Sequence, residues 1–209
     1  MKALSLVITS IFMAGCSVVG QSNVESAPYT LLKADEEKNI EIRNYDAMIL
    51  VSTSMNDGGD NSAFRKLFKY ITGANEGSRE IAMTAPVIMD KDSDSQSGAE
   101  IAMTAPVFMN ENADTPMMSF VMPKDFTMET TPKPTNPDVI VTEIKDYKVA
   151  AIKFSGTLRD GNVEKHTKLL QEWMVENNYI ASGKPVKAGY NGPLTLPMMR
   201  HNEVLIEIQ

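Results

Sequence analysis

A ten-residue segment that occurs twice constrains the fold of this chain more than any other feature. Glu80–Met89 reads EIAMTAPVIM and Glu100–Met109 reads EIAMTAPVFM, and the copies differ only at Ile88 and Phe108. Apolar residues alternate with smaller or more polar ones, which is the two-residue period of a half-buried strand. The proline in each copy removes a backbone donor, so we expect edge-like or bulged strands. The repeat therefore predicts two equivalent β-strands.

The segment between the two copies is polar throughout. Residues 90–98 read DKDSDSQSG. Such a run cannot bury itself and is typical of a loop. We therefore expect the two copies to be joined as a hairpin with a long polar connection.

The first residues have the composition of a targeting segment. Lys2 precedes an apolar run, Ala3–Ala14, that is too short to span a bilayer. The run ends at Met13-Ala-Gly-Cys16, which resembles a bacterial lipobox, in which the cysteine is lipidated and becomes the first mature residue. An ordinary signal peptide with a chance cysteine is the alternative. We predict a lipoprotein signal peptide at 1–15, a lipidated tether at 16–28 and one folded domain at 29–209.

Lipidation would place the protein in the cell envelope. Several acyl chains on Cys16 would anchor it stably in a membrane. Ser17 is not the aspartate that tends to retain such proteins in the inner membrane, which favours the periplasmic face of the outer membrane. Because Cys16 is the only cysteine, the core must stabilise the domain without a disulfide.

The charge of the chain excludes one class of partner. The formal net charge is −7, and there is no basic stripe. Nucleic-acid binding depends on neutralising phosphates with lysine and arginine. We therefore expect no nucleic-acid partner, while the oligomeric state is left open.

Two halves of the chain follow a similar order of elements. Glu41–Tyr45 resembles Glu143–Tyr147 at an offset of 102 residues, and an apolar strand follows each. A helix is then expected in each half, capped by Asp60 or Asn61 in the first half and by Asn162 in the second. The final strands correspond at an offset near 85, which indicates that the first half carries an inserted copy of the repeat.

The two predicted helices are amphipathic. Their apolar residues recur at helical spacing. Two such helices and a self-covering sheet predict an α+β protein, a distorted antiparallel β-barrel of two similar halves flanked by two α-helices. The predicted apolar stripes are Ala63, Phe64, Leu67, Phe68 and Ile71 in the first helix, and Val163, His166, Leu169, Leu170 and Trp173 in the second.

Several motifs together resemble the SOUL haem-binding protein family. They occur in the order IEIRNY, IAMTAPV, FVMP, TPKP, AIKFSG, AGYN and NEV, and they span roughly 29–209. The resemblance implies a distorted barrel related to bacterial effector-binding domains. It also implies non-covalent binding of haem or another tetrapyrrole, with no established catalysis in most members.

The resemblance also implies where a tetrapyrrole would bind. Some members use a histidine within the segment that reads Ile42–Tyr45 here, and Asn44 stands at that place. Asparagine is a poor iron ligand, so no fixed histidine ligand is expected. Other members hold the porphyrin in an apolar groove on the first helix, with cations near the propionates. The ligand-binding residues are then Phe64, Leu67, Phe68, Lys69 and Ile71, with Arg65 as a second candidate cation; the alternative is that the apolar ones simply pack on the barrel.

Other chemistries find less support in the sequence. His166 on an apolar stripe is typical of a hydrogen-bonded boundary residue, and His201 is expected at the surface. The abundant methionines permit soft Cu(I) binding, although methionine also fills irregular cores. There is no nucleophile elbow or phosphate loop, so we predict a binding protein and not an enzyme, with a hydrolase as a further alternative. A non-haem ligand-binding or protein-interaction module is the main alternative function.

Overall fold

A computed structural model describes residues 24–56, 58–77, 98–111, 114–192 and 194–209. The predicted signal peptide, Cys16 and the first copy of the repeat, Glu80–Met89, lie outside the described residues. The predictions made for these segments therefore stay predictions.

The described residues form eleven β-strands and two α-helices. A short 3₁₀ helix, Pro197–Met199, precedes the last strand. In chain order the elements are β1 Glu25–Ser26, β2 Tyr29–Asp35, β3 Ile40–Tyr45, β4 Met48–Ser54, α1 Gly59–Ile71, β5 Thr104–Ala105, β6 Val107–Asn110, β7 Met117–Val121, β8 Val139–Ile144, β9 Tyr147–Phe154, α2 Asp160–Glu176, β10 Val186–Gly189 and β11 Asn202–Glu207.

Nine strands form one antiparallel sheet that curls into a half-barrel. Their order is β2-β3-β9-β11-β10-β6-β7-β4-β8, while β1 and β5 pair separately. From the centre outward, β6-β7-β4 in one half matches β10-β11-β9 in the other. The opening strand of each half, β3 or β8, crosses over and pairs with the other half. The predicted α+β barrel of two similar halves with two helices is confirmed.

The register between the halves differs from the one expected from the sequence. Tyr45 pairs with Tyr147, and Met48 pairs with Ile144. Tyr45 is thus equivalent to Ile144, and Met48 to Tyr147, so equivalent positions in the two halves are 99 residues apart. The predicted offset of 102 residues is therefore wrong for these strands. The reason is that Tyr45 ends β3, whereas Tyr147 begins β9 after a turn. Two residues that looked equivalent are therefore direct cross-strand neighbours.

The second copy of the repeat forms β5 and β6, with Pro106 between them. β6 is paired on both sides, with β10 and β7, and neither pairing shows a register shift, so the expectation of an edge-like or bulged strand is wrong for it. Pro106 precedes the first residue of β6, where the missing donor costs no ladder hydrogen bond. Phe108 and Met109 are both buried, Met109 in the apolar cluster beneath α1 and Phe108 in the cluster on the opposite face of the sheet. Since β6 matches β10, the second copy supplies the strand that the symmetry requires.

Helix α1 begins earlier and is rotated relative to the prediction. Gly58 at its N-terminus has φ of 92°, a left-handed conformation that glycine tolerates, and no side chain of the described residues caps the helix. Asp60 and Asn61 are thus not caps. The negative charge of Asp60 in the first turn still interacts favourably with the helix dipole. The buried side is completed by Tyr70, whose hydroxyl donates to the Pro132 carbonyl at 2.7 Å. Its buried residues are Ala63, Leu67, Tyr70 and Ile71.

Helix α2 packs on the second half in the same manner. Asn162 lies inside the helix and does not cap it; its side chain donates instead to the carbonyls of Ser155 and Thr157, at 3.2 and 2.9 Å. Leu169, predicted on the apolar stripe, is 44% exposed, and Met174 takes its place. The buried residues of α2 are Val163, Leu170, Trp173 and Met174. Neither helix in the described part of the chain has the length and hydropathy needed to cross a membrane.

The two helices of the described residues lie on the same face of the sheet. Alternate residues of β4 show this, because Val51 belongs to the apolar cluster beneath α1 while Leu50 belongs to a cluster on the opposite face. A third cluster lies beneath α2. The described residues therefore present two separate regions where a ligand could bind: the outer surface of the helices and the face of the sheet opposite the helices.

Candidate functional site

The outer flank of α1 carries two stacked phenylalanines. The ring centroids of Phe64 and Phe68 lie 6.0 Å apart with 14° between the ring planes. Their exposed fractions are 37% and 43%. Phe64 also meets the buried ring of Phe120 edge-on at 5.3 Å. Because Phe120 belongs to the core, the aromatic pair is a fixed apolar surface.

The other apolar members of the predicted groove do not reach that surface. Leu67 and Ile71 are buried in the cluster that α1 forms with β4 and β7. Leu67 is fully enclosed, so it can position the helix but cannot touch a ligand in this conformation. Of the five predicted binding residues, Phe64, Phe68 and Lys69 are therefore exposed together.

A row of cations runs beside the aromatic pair. Arg65 and Lys69 each follow one of the phenylalanines, and residues four apart stand one above the other on a helix. Both line a cavity of about 490 Å³ that also contacts Tyr70 and Asn136. Lys66, on the same cavity, is paired with Asp138 at 2.8 Å. Around the circumference of α1, Phe64 and Phe68 are thus followed by Arg65 and Lys69, and these by the open cavity.

Both histidines of the chain are engaged elsewhere. His166 makes a hydrogen bond between Nδ1 and the Asn162 carbonyl at 2.7 Å, and its ring stacks on Phe154 at 4.2 Å. This agrees with the prediction of a hydrogen-bonded boundary residue. His201 was expected at the surface, but it is half-buried and stacks on Tyr190 at 3.9 Å. His201 is packed because it directly precedes β11, which lies between β9 and β10 in the interior of the sheet.

His201 belongs to a buried charge network that the sequence did not reveal. Arg43 donates to both carboxylate oxygens of Glu203, at 2.7 and 2.9 Å. Tyr190 donates its hydroxyl to the same carboxylate at 2.7 Å, and His201 Nε2 lies 2.7 Å from it. Arg43 also meets Glu41 at 2.6 Å. Arg43 and Glu203 are both buried, so the pair stands in a medium where an unpaired charge would be costly.

The network fixes the charge state of its members. Burial alone would raise the pKa of Glu203, but the hydrogen bonds from His201 and Arg43 and the charge of Arg43 lower it to about 2. Burial opposes the charge of Arg43, yet its hydrogen bonds and attraction to Glu203 raise the pKa of the guanidinium. Burial and the Glu203 carboxylate together raise the pKa of Tyr190. A carboxylate that accepts four such contacts and stays ionised is poorly suited to act as a general acid.

A local signal for this network exists, but it is incomplete. Glu41, Arg43 and Tyr45 share one face of β3, opposite Ile40 and Ile42, so a buried strand carries charges on alternate residues. Charges at that spacing suggest a partner across the sheet. Glu203 is 160 residues away, and only the strand order brings it near.

Comparisons with known proteins agree with this fold. A protein-family model described as "SOUL heme-binding protein" matches residues 24–207. No curated protein matches the sequence. Among solved structures, an uncharacterized conserved protein from Listeria innocua is similar with a TM-score of 0.56 and 10% identity, covering 82% of this chain and 93% of that one.

Two further solved structures share the fold at low identity. A hydrolase from Listeria innocua has a TM-score of 0.53 and 11% identity, over 82% of this chain and 92% of that one. A cryo-EM structure of an EcmrR–DNA complex has a TM-score of 0.51 and 12% identity, over 81% of this chain and 57% of that one. Likeness at such identities establishes a common architecture, whereas activity depends on the residues of the site.

Proposed function

This chain belongs to the SOUL heme-binding protein family, and we propose on that basis that it binds haem or another tetrapyrrole non-covalently, without a fixed histidine ligand. The proposed site is the outer flank of α1, and the observation that carries it is the exposed, stacked pair of Phe64 and Phe68 beside two cations. We also propose that the protein works as a binding protein and not as an enzyme.

The residues of this flank fit the chemistry of a tetrapyrrole. Haem is a flat apolar plate with two carboxylates, and it needs an apolar wall and nearby cations. The phenylalanine rings would provide the wall. Arg65 and Lys69 would face the carboxylates, since both lie on the side of the pair that leads to the open cavity. Leu67 and Ile71 would act only by holding α1 against the sheet.

Binding at this flank would depend on apolar contact and charge. His166 and His201 each make a hydrogen bond and a ring stack within their own half of the sheet. Asn44 on β3 offers no nitrogen suited to iron. We therefore expect weak, exchangeable binding that tolerates different tetrapyrroles.

A titration with haemin tests the proposal. We would use the full chain carrying Cys16→Ser, which cannot be lipidated, and follow the Soret band together with quenching of Trp173, the single tryptophan. Phe64→Asp should weaken binding at least about tenfold, because it places a charge where a ring would be desolvated. Leu169→Asp is the matched control, since Leu169 is 44% exposed on α2 and the same change there should leave binding unaltered.

The outcomes separate the main alternatives. An absent Soret shift at about 50 μM haemin, a concentration that would half-occupy even a weak site, would reject tetrapyrrole binding. Equal loss in both variants would reject α1 as the site. A rise in thermal stability with other amphipathic molecules and none with haemin would favour a non-haem ligand-binding module on the same barrel.

The location of the protein is a separate proposal. We propose that Cys16 carries a lipid anchor and holds the domain in the cell envelope, on the periplasmic face of the outer membrane. Mass spectrometry of the mature N-terminus would identify the modification. Cys16→Ser should leave the first fifteen residues in place and the N-terminus without acyl chains, and a wild-type N-terminus found without acyl chains would reject the anchor.

A further inference from the structure

The loop between β10 and β11 exposes several large apolar side chains close together. Single exposed apolar residues are normal on a protein surface, whereas a group of them marks an interaction site. The exposed fractions are 93% for Leu194, 47% for Leu196, 77% for Met198 and 38% for Met199. Two of these side chains are therefore almost entirely in contact with solvent.

The backbone of this loop is fixed by hydrogen bonds. Arg200 donates Nε to the Thr195 carbonyl at 2.8 Å. The N–H of Gly156, just beyond β9, donates to the Pro197 carbonyl at 2.7 Å. The loop is thus tied to itself and to the neighbouring strand through main-chain carbonyls, and its apolar side chains take no part in these bonds.

The loop leaves the sheet at the end where the described part of the chain begins. Ser26 of β1 pairs with Ala105 of β5. Two residues later Val107 begins β6, and it pairs with Gly189, the last residue of β10. The loop follows directly after Gly189, so it lies at the same end of the sheet as β1.

The proposed lipid anchor is close to this end. Val24, the first described residue, is eight positions after Cys16. A chain of that length reaches at most about 28 Å when it is fully extended. A domain of about 180 residues is about 40 Å across. Because the tether is shorter than the domain is wide, it favours an orientation with the β1 end towards the bilayer.

The charge of the loop also suits a lipid surface. Residues 189–202 contain no aspartate or glutamate and one arginine, in a chain of net charge −7. Anionic head groups repel acidic surfaces and attract basic ones. We propose that Leu194, Leu196, Met198 and Met199 insert into the interface of the membrane that carries the lipid anchor. The inference rests on the anchor proposed above and adds a second contact, which would fix the orientation of the domain.

A fluorescent label on the loop tests the insertion. Lipidation occupies the sulfur of Cys16, so Leu194→Cys supplies the single free thiol of the lipidated protein for a nitrobenzoxadiazole dye. In vesicles of phosphatidylethanolamine and phosphatidylglycerol, its emission should shift to the blue. Lipids with a nitroxide near the head group should quench it, because side chains of this kind enter the interface by about 5–10 Å.

Ile180→Cys provides the matched control. Ile180 is apolar and 63% exposed, and its carbonyl accepts the Gln209 N–H at 3.2 Å, just beyond the last residue of β11. The six residues of β11 separate this position from the loop by about 20 Å. A label at Ile180 should therefore stay in water, with neither a blue shift nor quenching.

A charge on the loop should prevent the insertion. Met198→Asp, combined with the label at Leu194, should reduce the quenching at least about threefold, because a carboxylate resists transfer from water into apolar surroundings. Unchanged quenching in this variant would overturn the proposal. Equal quenching of the labels at Leu194 and Ile180 would overturn it as well.

These outcomes can be told apart from failure of the anchor or of haem binding. Mass spectrometry of the same samples shows whether the N-terminus carries acyl chains; their absence would reject the anchor and the insertion together. With the acyl chains present, a label at Leu194 that stays in water would reject the insertion alone. Leu194→Asp should leave the affinity for haemin unchanged, and a loss would assign the loop to the tetrapyrrole site instead.

Discussion

Replacing Glu203 by glutamine should lower the free energy of unfolding by about 3 kcal/mol at pH 7. Glutamine has nearly the shape of a protonated glutamate, so the variant imitates the wild-type protein with its carboxylate neutralised. The pKa of Glu203 falls from an ordinary 4.5 to about 2 in the folded protein. Each unit is worth about 1.4 kcal/mol, which gives the stated loss. The figure also matches the cost of breaking a buried ion pair, about 3–5 kcal/mol.

The effect should depend on pH in a definite direction. The folded-state pKa of Glu203 lies below its unfolded value, so its contribution is fully present above pH 4.5 and is lost as the pH falls through about 2. The variant has no such contribution to lose. The difference between the two proteins should therefore shrink steadily on acidification from pH 4.5 towards pH 2.

Urea unfolding followed by Trp173 fluorescence measures this difference, because the buried indole becomes exposed on unfolding. Glu207→Gln is the control: Glu207 is an exposed glutamate on the same strand, and its change should stay within about 0.5 kcal/mol. A loss below about 1 kcal/mol for Glu203→Gln would refute the reasoning, because the cost of desolvating Arg43 and Glu203 would then cancel the attraction between their charges. A difference that persists unchanged in acid would refute the assignment to the carboxylate.

Three further substitutions examine how α1 is held. Leu67→Ala should cost about 2–5 kcal/mol, because Leu67 is fully enclosed; a loss under about 1 kcal/mol in urea unfolding would contradict the packing. Tyr70→Phe removes one hydrogen bond to Pro132, and it should lower the free energy of unfolding, measured by thermal denaturation, by about 1 kcal/mol. Asn75→Ala removes the contacts of its amide with Tyr70 and Ala99, at 2.7 and 2.8 Å, and should speed amide hydrogen exchange across residues 98–101; unchanged protection there would argue against that link.

Local sequence patterns predicted part of the fold. The apolar runs that follow Tyr45 and Tyr147 predicted β4 and β9, and helical spacing predicted both helices. The similarity of the two halves predicted a sheet of repeated design. Its register required knowledge of pairing, because the motif at Glu41–Tyr45 ends a strand whereas Glu143–Tyr147 spans a turn.

The faces of the helices were predicted less well, for a physical reason. A period of 3.6 residues leaves the centre of the buried stripe uncertain by about one position. Tyr70 can be buried because its hydroxyl reaches the Pro132 carbonyl, which no local pattern records. Because Tyr70 is buried, the helix is turned so that Phe64 and Phe68 face outward. The rotation leaves the two rings, together with Lys69, accessible to a ligand.

The buried charges lay beyond sequence reasoning for a different reason. Arg43 and Glu203 become partners only because β11 and β3 lie on either side of β9. The buried Asn110 oxygen, which has no hydrogen-bond partner among the described residues, likewise reflects packing across strands. Both features are products of tertiary arrangement, where local propensity carries no information.

The exchange of opening strands has a consequence for how the protein is made. During synthesis the first half emerges complete in sequence but incomplete in structure, because β4 still lacks its neighbour β8 and β3 still lacks its neighbour β9. Long-range pairing of this kind slows folding and leaves open edges at risk of aggregation. A nascent chain that stops before Tyr147 would leave Arg43 without Glu203 and β3 without its inner neighbour. The two halves are consequently obligate partners, and a fragment containing one of them should not survive as a folded unit.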